Sequence, residues 1–184
     1  MPAITPSLWF DNDLEDAIAF YTAIFPNSSV DRVDRFTDAG PGTPGEVVSA
    51  TFTLDGQQFI AINGGPQFPF TEAVSFTVHC RDQAEVDYYW QRLLDGGGQE
   101  SQCGWLKDRF GLSWQIVPER LDELLRDPDA ARAAAATRAM LGMGRIVVAD
   151  LESAVADERS REEKRGPMSA RAKRRGADER SRDE

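Results

Sequence analysis

The chain offers few side chains that could perform acid–base or metal chemistry. His79 is its single histidine, and histidine is the side chain whose ordinary pKa lies closest to neutrality. One histidine cannot form a ligand cluster with metal-site spacing. No carboxylate is placed beside His79 by the sequence, so catalysis, ligand contact and a structural hydrogen bond all stay open for it.

The nucleophilic residues point away from covalent catalysis. Cys80 and Cys103 are the two cysteines, too few for a disulfide framework, and we expect Cys103 to be a buried structural thiol. Ser75 and Ser113 lie outside any GxSxG sequence, which argues against a hydrolase triad. A chain with so few cysteines suits a reducing cytoplasm.

Composition and charge exclude several classes of protein. The 184 residues are 41% hydrophobic, and no apolar run reaches the length of about 20 that a membrane helix needs. Residues 1–156 carry 23 acidic and 11 basic side chains, whereas residues 157–184 carry 8 and 10. The acidic body would repel a phosphate backbone, so we predict no nucleic-acid binding there. We also predict no membrane partner.

The first part of the chain predicts one strand, one helix and three strands. Residues 4–10 read as a strand, and residues 14–25 have apolar side chains at helical spacing. A third segment, 28–36, is a plausible strand. Residues 47–54 and 58–63 then predict a hairpin whose turn, Asp55–Gly56, favours type I′.

The same order of elements is repeated in the second part. Residues 73–80 predict a strand, and residues 84–94 a helix that begins with the capping pair Asp82 and Glu85. Three short strands follow within residues 99–117, the last two joined by a turn at Gly111, which can take a positive φ. We expect Lys107, Asp108 and Arg109 to form a solvated turn at the tip of this hairpin.

These patterns predict an α+β protein with four segments. Residues 1–64 and 72–118 are expected to form two βαβββ modules. Residues 119–156 are expected to form a helical extension, within which 145–154 could be a strand or a helix. Residues 157–184 contain almost no large apolar side chain, and we predict a disordered charged tail.

The sequence GWLKDRFGLSWQIVP, at residues 104–118, resembles the PhnB-like branch of the vicinal oxygen chelate superfamily. FPNSSV, the connector at residues 63–66 and AVSFTVHCRDQAEVDYYW support the resemblance, which covers about residues 4–142. That superfamily includes glyoxalases, extradiol dioxygenases and bleomycin-resistance proteins, and members of the branch often carry the name 3-demethylubiquinone-9 3-methyltransferase. The resemblance implies that two curved sheets enclose a cleft, and that the protein is a homodimer.

The resemblance also places four metal-ligand positions near Pro6, Asn63, Ser75 and Gln115. Metal-binding relatives have His or Glu there, whereas these four residues supply no charge to offset the dehydration of a divalent cation. We therefore predict no metal. No strand–GxGxxG–helix unit is present for an adenosyl cofactor, so we predict no cofactor and leave open whether the protein is an enzyme.

Strand alternation then predicts which side chains line the cleft. On this basis Asn63 faces inward while Ile60 and Ile62 pack beneath the helices. The complete predicted lining is Leu8, Phe10, Asn63, Ser75, Thr77, His79, Trp105, Ser113 and Gln115. The mixture of hydroxyls, amides and apolar groups is typical of a pocket for a small neutral or aromatic ligand, although a filled barrel interior would have the same composition.

The leading functional prediction is a small-molecule-binding protein with a metal-free cleft and an unknown reaction. The first alternative is a metal-dependent lyase or dioxygenase. The second is a protein-interaction module that uses the charged tail.

Overall fold

The structure is a computed structural model that describes residues 4–165. Its elements are β1 (Ser7–Phe10), α1 (Leu14–Ile24), β2 (Ser29–Arg35), β3 (Val47–Leu54), β4 (Gln57–Asn63), β5 (Ser75–Cys80), α2 (Gln83–Leu94), β6 (Gln99–Glu100), β7 (Trp105–Lys107), β8 (Ser113–Pro118), α3 (Glu119–Leu125), α4 (Ala130–Leu141) and α5 (Val148–Arg165). The predicted order of strand, helix and three strands, occurring twice, is confirmed.

The strands form two four-stranded sheets with matching connectivity. Their orders are β1-β4-β3-β2 and β5-β8-β7-β6, so the first and last strands of each repeat are neighbours. In the first sheet β1 runs parallel to β4, and β3 and β4 form an antiparallel hairpin. Its turn has positive φ at both Asp55 and Gly56, as the predicted type I′ turn requires. The α+β class with two βαβββ modules is thus confirmed.

By packing, the chain divides into two compact units whose limits cut across the repeats. Within the described residues, one consists of residues 4–77 together with Asp87–Ser101 and Trp105–Gln115. The other consists of Val78–Val86, Gln102–Gly104 and residues 116–165. The division at residues 64 and 72 remains a prediction about the modules.

The first unit is built around α1. The apolar positions predicted at helical spacing, Leu14, Ile18 and Tyr21 among them, are buried. A side-chain hydrogen bond at the N-terminus of α1 shows which face of the first sheet the helix covers, because the amide N–H of Leu14 donates to Asn63 Oδ1. Leu8 and Phe10 are buried on this same face, since their register partners are Ala61 and Asn63.

The predicted orientation of the first sheet was therefore wrong. Asn63, Leu8 and Phe10 face the helix, whereas Ile60 points the other way and is 37% exposed. Alternation fixes which residues share a face but not which face is covered, because both faces of β4 carry apolar side chains.

The second unit contains a helical core. Leu121, Leu124, Ala136, Ile146 and Leu151 form a buried cluster among α3, α4 and α5. The Asp129 carboxylate caps α4 by accepting hydrogen bonds from the N–H groups of Ala131 and Arg132, at 2.8 and 3.2 Å.

The predicted tail differs from the structure at its start. Helix α5 runs to Arg165, so residues 157–165 are helical, and residues 148–154 belong to the same helix. The rest of that predicted tail, 166–184, lies outside the described residues. Between residues 4 and 165, no helix combines the length and apolarity needed to span a membrane.

Candidate functional site

One face of the second sheet gathers four polar or aromatic side chains from β7 and β8. Trp105 is paired with Gln115, and Lys107 with Ser113, in an antiparallel register. Residues that are directly opposite each other share a face, and so do residues two apart on one strand. We call the face formed by Trp105, Lys107, Ser113 and Gln115, together with Ser75, the polar face.

Ser75 joins the polar face through a side-chain hydrogen bond. Gln115 Nε2 donates to Ser75 Oγ over 2.9 Å. Both side chains are only partly buried, so their remaining hydrogen-bonding positions face a region that a ligand can reach. The contact fixes an amide and a hydroxyl side by side, which is an arrangement suited to a carbonyl, hydroxyl or amide group of a ligand.

A hollow of about 130 Å³ lies at one end of the polar face. Its lining is Glu72, Gln99, Glu100, Ser101, Trp105, Leu106, Lys107 and Ser113. Ser113 is 1% exposed, and its hydroxyl has no hydrogen-bond partner among the described residues. A buried hydroxyl without a partner destabilises the fold by about 1–3 kcal/mol, which a bound ligand with a hydrogen-bonding group would offset.

An ion pair borders this hollow. Lys107 Nζ lies 2.5 Å from Glu72 Oε1, and the lysine holds the pKa of Glu72 below its ordinary value through the hydrogen bond and its charge. The Glu72 side chain is 64% exposed, so the pair contributes little to stability. Lys107 can therefore exchange this partner for a carbonyl or hydroxyl oxygen at small cost.

The turn between β7 and β8 is fixed by a buried carboxylate. Asp108 Oδ1 accepts hydrogen bonds from the backbone N–H groups of Phe110 and Leu112, at 2.9 and 3.1 Å. Asp108 Oδ2 accepts from the Tyr21 hydroxyl at 2.7 Å and from Trp114 Nε1 at 2.8 Å. Asp108 is 3% exposed, so the interpretation of residues 107–109 as a solvated turn was wrong at this residue.

Burial has the largest effect on the pKa values of both Asp108 and Tyr21. It raises the pKa of Asp108, and the hydrogen bonds from Trp114, Tyr21, Phe110 and Leu112 partly offset that rise. Burial, followed by the charge of Asp108, raises the pKa of Tyr21 well above its ordinary value. The two groups satisfy each other inside the protein, which makes them positioning residues for the hairpin that carries Lys107 and Ser113.

The sequence carries a local signal for the role of Asp108. Gly111 has a φ of +86°, as predicted, and an Asp three residues before such a glycine is typical of a turn in which the carboxylate accepts backbone N–H groups. Trp114, predicted to face the helix layer, also needed a partner for its indole N–H.

Three predicted lining residues lie away from the polar face. Leu8 and Phe10 are core residues beneath α1. The Asn63 amide is occupied at both ends, since Nδ2 donates to Val47 O at 3.0 Å and Oδ1 accepts from Leu14 N–H.

The remaining two predicted residues lie on β5. Thr77 and His79 are both exposed to solvent. Ser75, Thr77 and His79 lie two residues apart along β5, so their side chains share one face of the strand, and Phe76 and Val78 lie on the other. A ligand-binding role for either stays a prediction.

The residues at the four inferred ligand positions do not fit a divalent metal. Ser75 and Gln115 are neutral and bond to each other, Asn63 is occupied, and Pro6 has no donor side chain. Within residues 4–165, no group of three or more His, Cys, Asp and Glu side chains is arranged to hold a metal ion. We derive no metal-dependent step for this site.

Comparison with known proteins supports both the fold and the family resemblance of the sequence. The sequence profile of the 3-demethylubiquinone-9 3-methyltransferase family matches residues 2–117. A search among curated proteins gave no match. Among solved structures, a Bacillus cereus PhnB protein, also assigned by name to the 3-demethylubiquinone-9 3-methyltransferases, is 35% identical. That match covers 64% of this chain and 99% of the other, with a TM-score of 0.58.

Two more distant structures share the fold alone. Protein PA1353 from Pseudomonas aeruginosa is 19% identical, with coverage of 65% and 98% and a TM-score of 0.54. The fosfomycin resistance protein FosX from Listeria monocytogenes is 17% identical, with coverage of 68% and 97% and a TM-score of 0.50.

Proposed function

The chain belongs to the 3-demethylubiquinone-9 3-methyltransferase family, the PhnB-like branch of the vicinal oxygen chelate superfamily, and from this we propose that it binds a small neutral molecule on the polar face. The ligand would carry an aromatic or apolar part and at least one hydrogen-bonding group. We assign it no reaction.

The observation that carries this proposal is the buried, unpartnered hydroxyl of Ser113. Buried polar groups in folded proteins are almost always hydrogen-bonded, so an unpartnered one beside a hollow marks a position that a ligand can complete. Trp105 lines the same hollow and provides an aromatic surface. Gln115 and Ser75 provide further hydrogen-bonding groups on the same face.

The family name does not determine the chemistry of this chain. Transfer of a methyl group from an adenosyl donor requires a site for that donor, and no strand–GxGxxG–helix unit is present in the sequence. The neutral donor set at Asn63, Ser75 and Gln115 likewise does not favour the metal-dependent lyase or dioxygenase.

A screen followed by one substitution tests the proposal. Thermal-shift measurements with small neutral aromatic compounds such as phenol, catechol and benzamide should identify a stabilising ligand, whose affinity is then measured by calorimetry. Ser113→Ala should weaken that binding by about fivefold, a loss of about 1 kcal/mol. It should leave the free protein as stable as the parent or more so, because it removes an unsatisfied group.

Ser153→Ala is the matched control, since Ser153 lies on α5 and its hydroxyl donates to Ala149 O. It should leave ligand affinity unchanged. Equal affinities for the parent and Ser113→Ala, or a clear loss of stability in Ser113→Ala, would show that the hydroxyl is not a ligand contact.

We also propose that the protein is a homodimer in a reducing compartment. Val30 and Val33, on the otherwise mostly charged edge strand β2, are 50% and 41% exposed, and a second copy of the chain would cover these two apolar side chains. Cys80 and Cys103 are free thiols. Analytical ultracentrifugation of the parent and of Val33→Lys tests the dimer: monomeric parent protein at micromolar concentration would contradict it.

A further inference from the structure

A second hollow, of about 210 Å³, lies in the first unit where β1 leads into α1. Five aromatic rings line it, those of Trp9, Phe10, Phe68, Phe70 and Phe110. Its lining among the described residues includes the carboxylates of Asp11 and Asp13 and no basic side chain, although Arg109 contacts Phe110 from outside this lining. We call it the aromatic hollow.

The segment that follows β4, residues 64–70, holds the rings of the aromatic hollow in place. Trp9 Nε1 donates to Gly65 O over 2.8 Å, which fixes the indole. The backbone of Gly64 packs closely against that indole, because a Cβ at Gly64 would come within 2.0 Å of a ring atom. Phe68 then meets Trp9 edge to face, with ring centroids 5.0 Å apart and planes at 78°.

Phe70 and Phe110 extend this arrangement around Phe10. Their centroids lie 5.3 and 6.2 Å from that of Phe10, with planes at 76° and 84°. Rings that meet at such angles present faces in several directions, and each face carries the negative part of the ring's quadrupole. Phe110 already holds one cation, since the Arg109 guanidinium carbon lies 4.9 Å from its centroid.

Asp13 gives the aromatic hollow an unsatisfied charge. It occupies the N-cap position of α1, yet its side chain makes no capping hydrogen bond. Its Oδ1 atom is buried and has no hydrogen-bond partner among the described residues. A buried carboxylate oxygen without a donor is costly, and an ammonium group would supply both the donor and the opposite charge.

The positive end of the α1 helix dipole opposes a cation here, but the local carboxylates outweigh it. A helix N-terminus acts as about half of a positive charge. Four carboxylates, those of Asp11, Asp13, Glu15 and Asp16, lie in or beside the first turn, and Arg35 pairs with that of Glu15. The other three still outweigh the helix dipole together with the Arg109 guanidinium on Phe110. The local field therefore favours a positive ligand.

We propose that the aromatic hollow binds a small organic cation, an ammonium group bearing methyl or methylene groups, with the rings around its apolar surface and Asp13 as its counter-charge. The hollow has the volume of about seven water molecules, which suits a ligand with about seven non-hydrogen atoms. This site is separate from the polar face and does not depend on the function proposed there.

Choline and its neutral isostere, 3,3-dimethylbutan-1-ol, test the proposal because they share shape and differ in charge. Calorimetry or ligand-observed NMR on the full chain should show choline binding about tenfold more tightly than the alcohol. Failure to bind choline, or equal affinity for the two compounds, would overturn the proposal.

Two substitutions then separate charge from shape. Asp13→Asn should weaken choline binding by about fivefold and leave the alcohol's affinity unchanged, since it removes the counter-charge without changing size. Phe68→Leu, at a residue that is 64% exposed and so not needed for folding, should weaken choline more than the alcohol. Asp38→Asn, in an exposed loop, is the matched control and should change neither affinity. An equal loss for both compounds in either test variant would contradict cation recognition.

Discussion

The hydroxyl of Tyr21 donates a 2.7 Å hydrogen bond to the carboxylate of Asp108, which lies 87 residues away in the chain. Tyr21 belongs to α1 of the first repeat, and Asp108 forms the turn between β7 and β8 of the second. The bond therefore ties the hairpin that carries the polar face to the buried core of the first unit.

Asp108→Asn should destabilise the protein strongly. Four donors converge on the carboxylate, and an amide has one accepting oxygen, so at least one buried donor would face an N–H group. We expect the free energy of unfolding in urea to fall by about 3 kcal/mol. Asp38→Asn should change it by less than about 0.5 kcal/mol, and a similarly small effect at Asp108 would contradict the structural role described here.

Tyr21 should make the protein sensitive to alkaline pH. Its pKa is raised in the folded state, mainly by burial, so the folded protein keeps the phenolic proton above pH 10 while the unfolded chain loses it. This contribution is complete below the ordinary pKa and is lost as pH rises toward the folded value, at about 1.4 kcal/mol per pH unit.

Urea unfolding at pH 9, 10 and 11 measures that slope. Tyr21→Phe has no proton to lose and should show a shallower decline than the parent between pH 10 and 11, although it is less stable at pH 9 because Asp108 loses a donor. Parallel declines would show that Tyr21 titrates as it does in the unfolded chain.

The sequence predicted the elements and their repeat because the signals are local. The apolar spacing of Leu14, Ile18 and Tyr21, the Asp55–Gly56 turn and the positive φ at Gly111 each depend on neighbouring residues alone. The same holds at Asp82, whose carboxylate accepts the N–H of Glu85 over 3.0 Å.

Strand alternation predicted which side chains of β8 share a face, but it did not predict the orientation of the first sheet, because sheet orientation is a long-range property. Alternation correctly grouped Ser113 with Gln115 and set Trp114 on the opposite face. For β4 it could not decide between Ile60 and Asn63, since the decision rests on where α1 packs. The partnership of Asp108 with Tyr21 is invisible in sequence for the same reason.

Gly64→Ala should disrupt the aromatic hollow. The added Cβ would come within 2.0 Å of the Trp9 indole, so the ring must leave its position against the connector and lose its hydrogen bond to Gly65 O. We expect a loss of about 2 kcal/mol in stability, a red-shifted tryptophan emission and weaker choline binding.

Gly142→Ala is the control for this substitution. Its backbone is helical, and an added Cβ would meet nothing closer than the Ala139 carbonyl oxygen at 3.5 Å. It should therefore be tolerated. Unchanged emission and choline affinity in Gly64→Ala would contradict the described position of Trp9.

The two thiols should react at very different rates. Cys80 is fully buried, and burial, together with the charges of Glu85 and Asp82, raises its pKa to about 12, so almost no thiolate forms at pH 8. Cys103 is partly exposed. Labelling the native protein with a disulfide reagent at pH 8 should thus give one fast thiol and one slow thiol.

Single substitutions assign these two rates. Cys80→Ser should retain the fast reaction, and Cys103→Ser should retain the slow one, which then proceeds through transient opening of the fold and accelerates as urea is added. A fast reaction of Cys103→Ser in native buffer would mean that Cys80 is accessible as a thiolate. That result would contradict the burial of Cys80 at the end of β5.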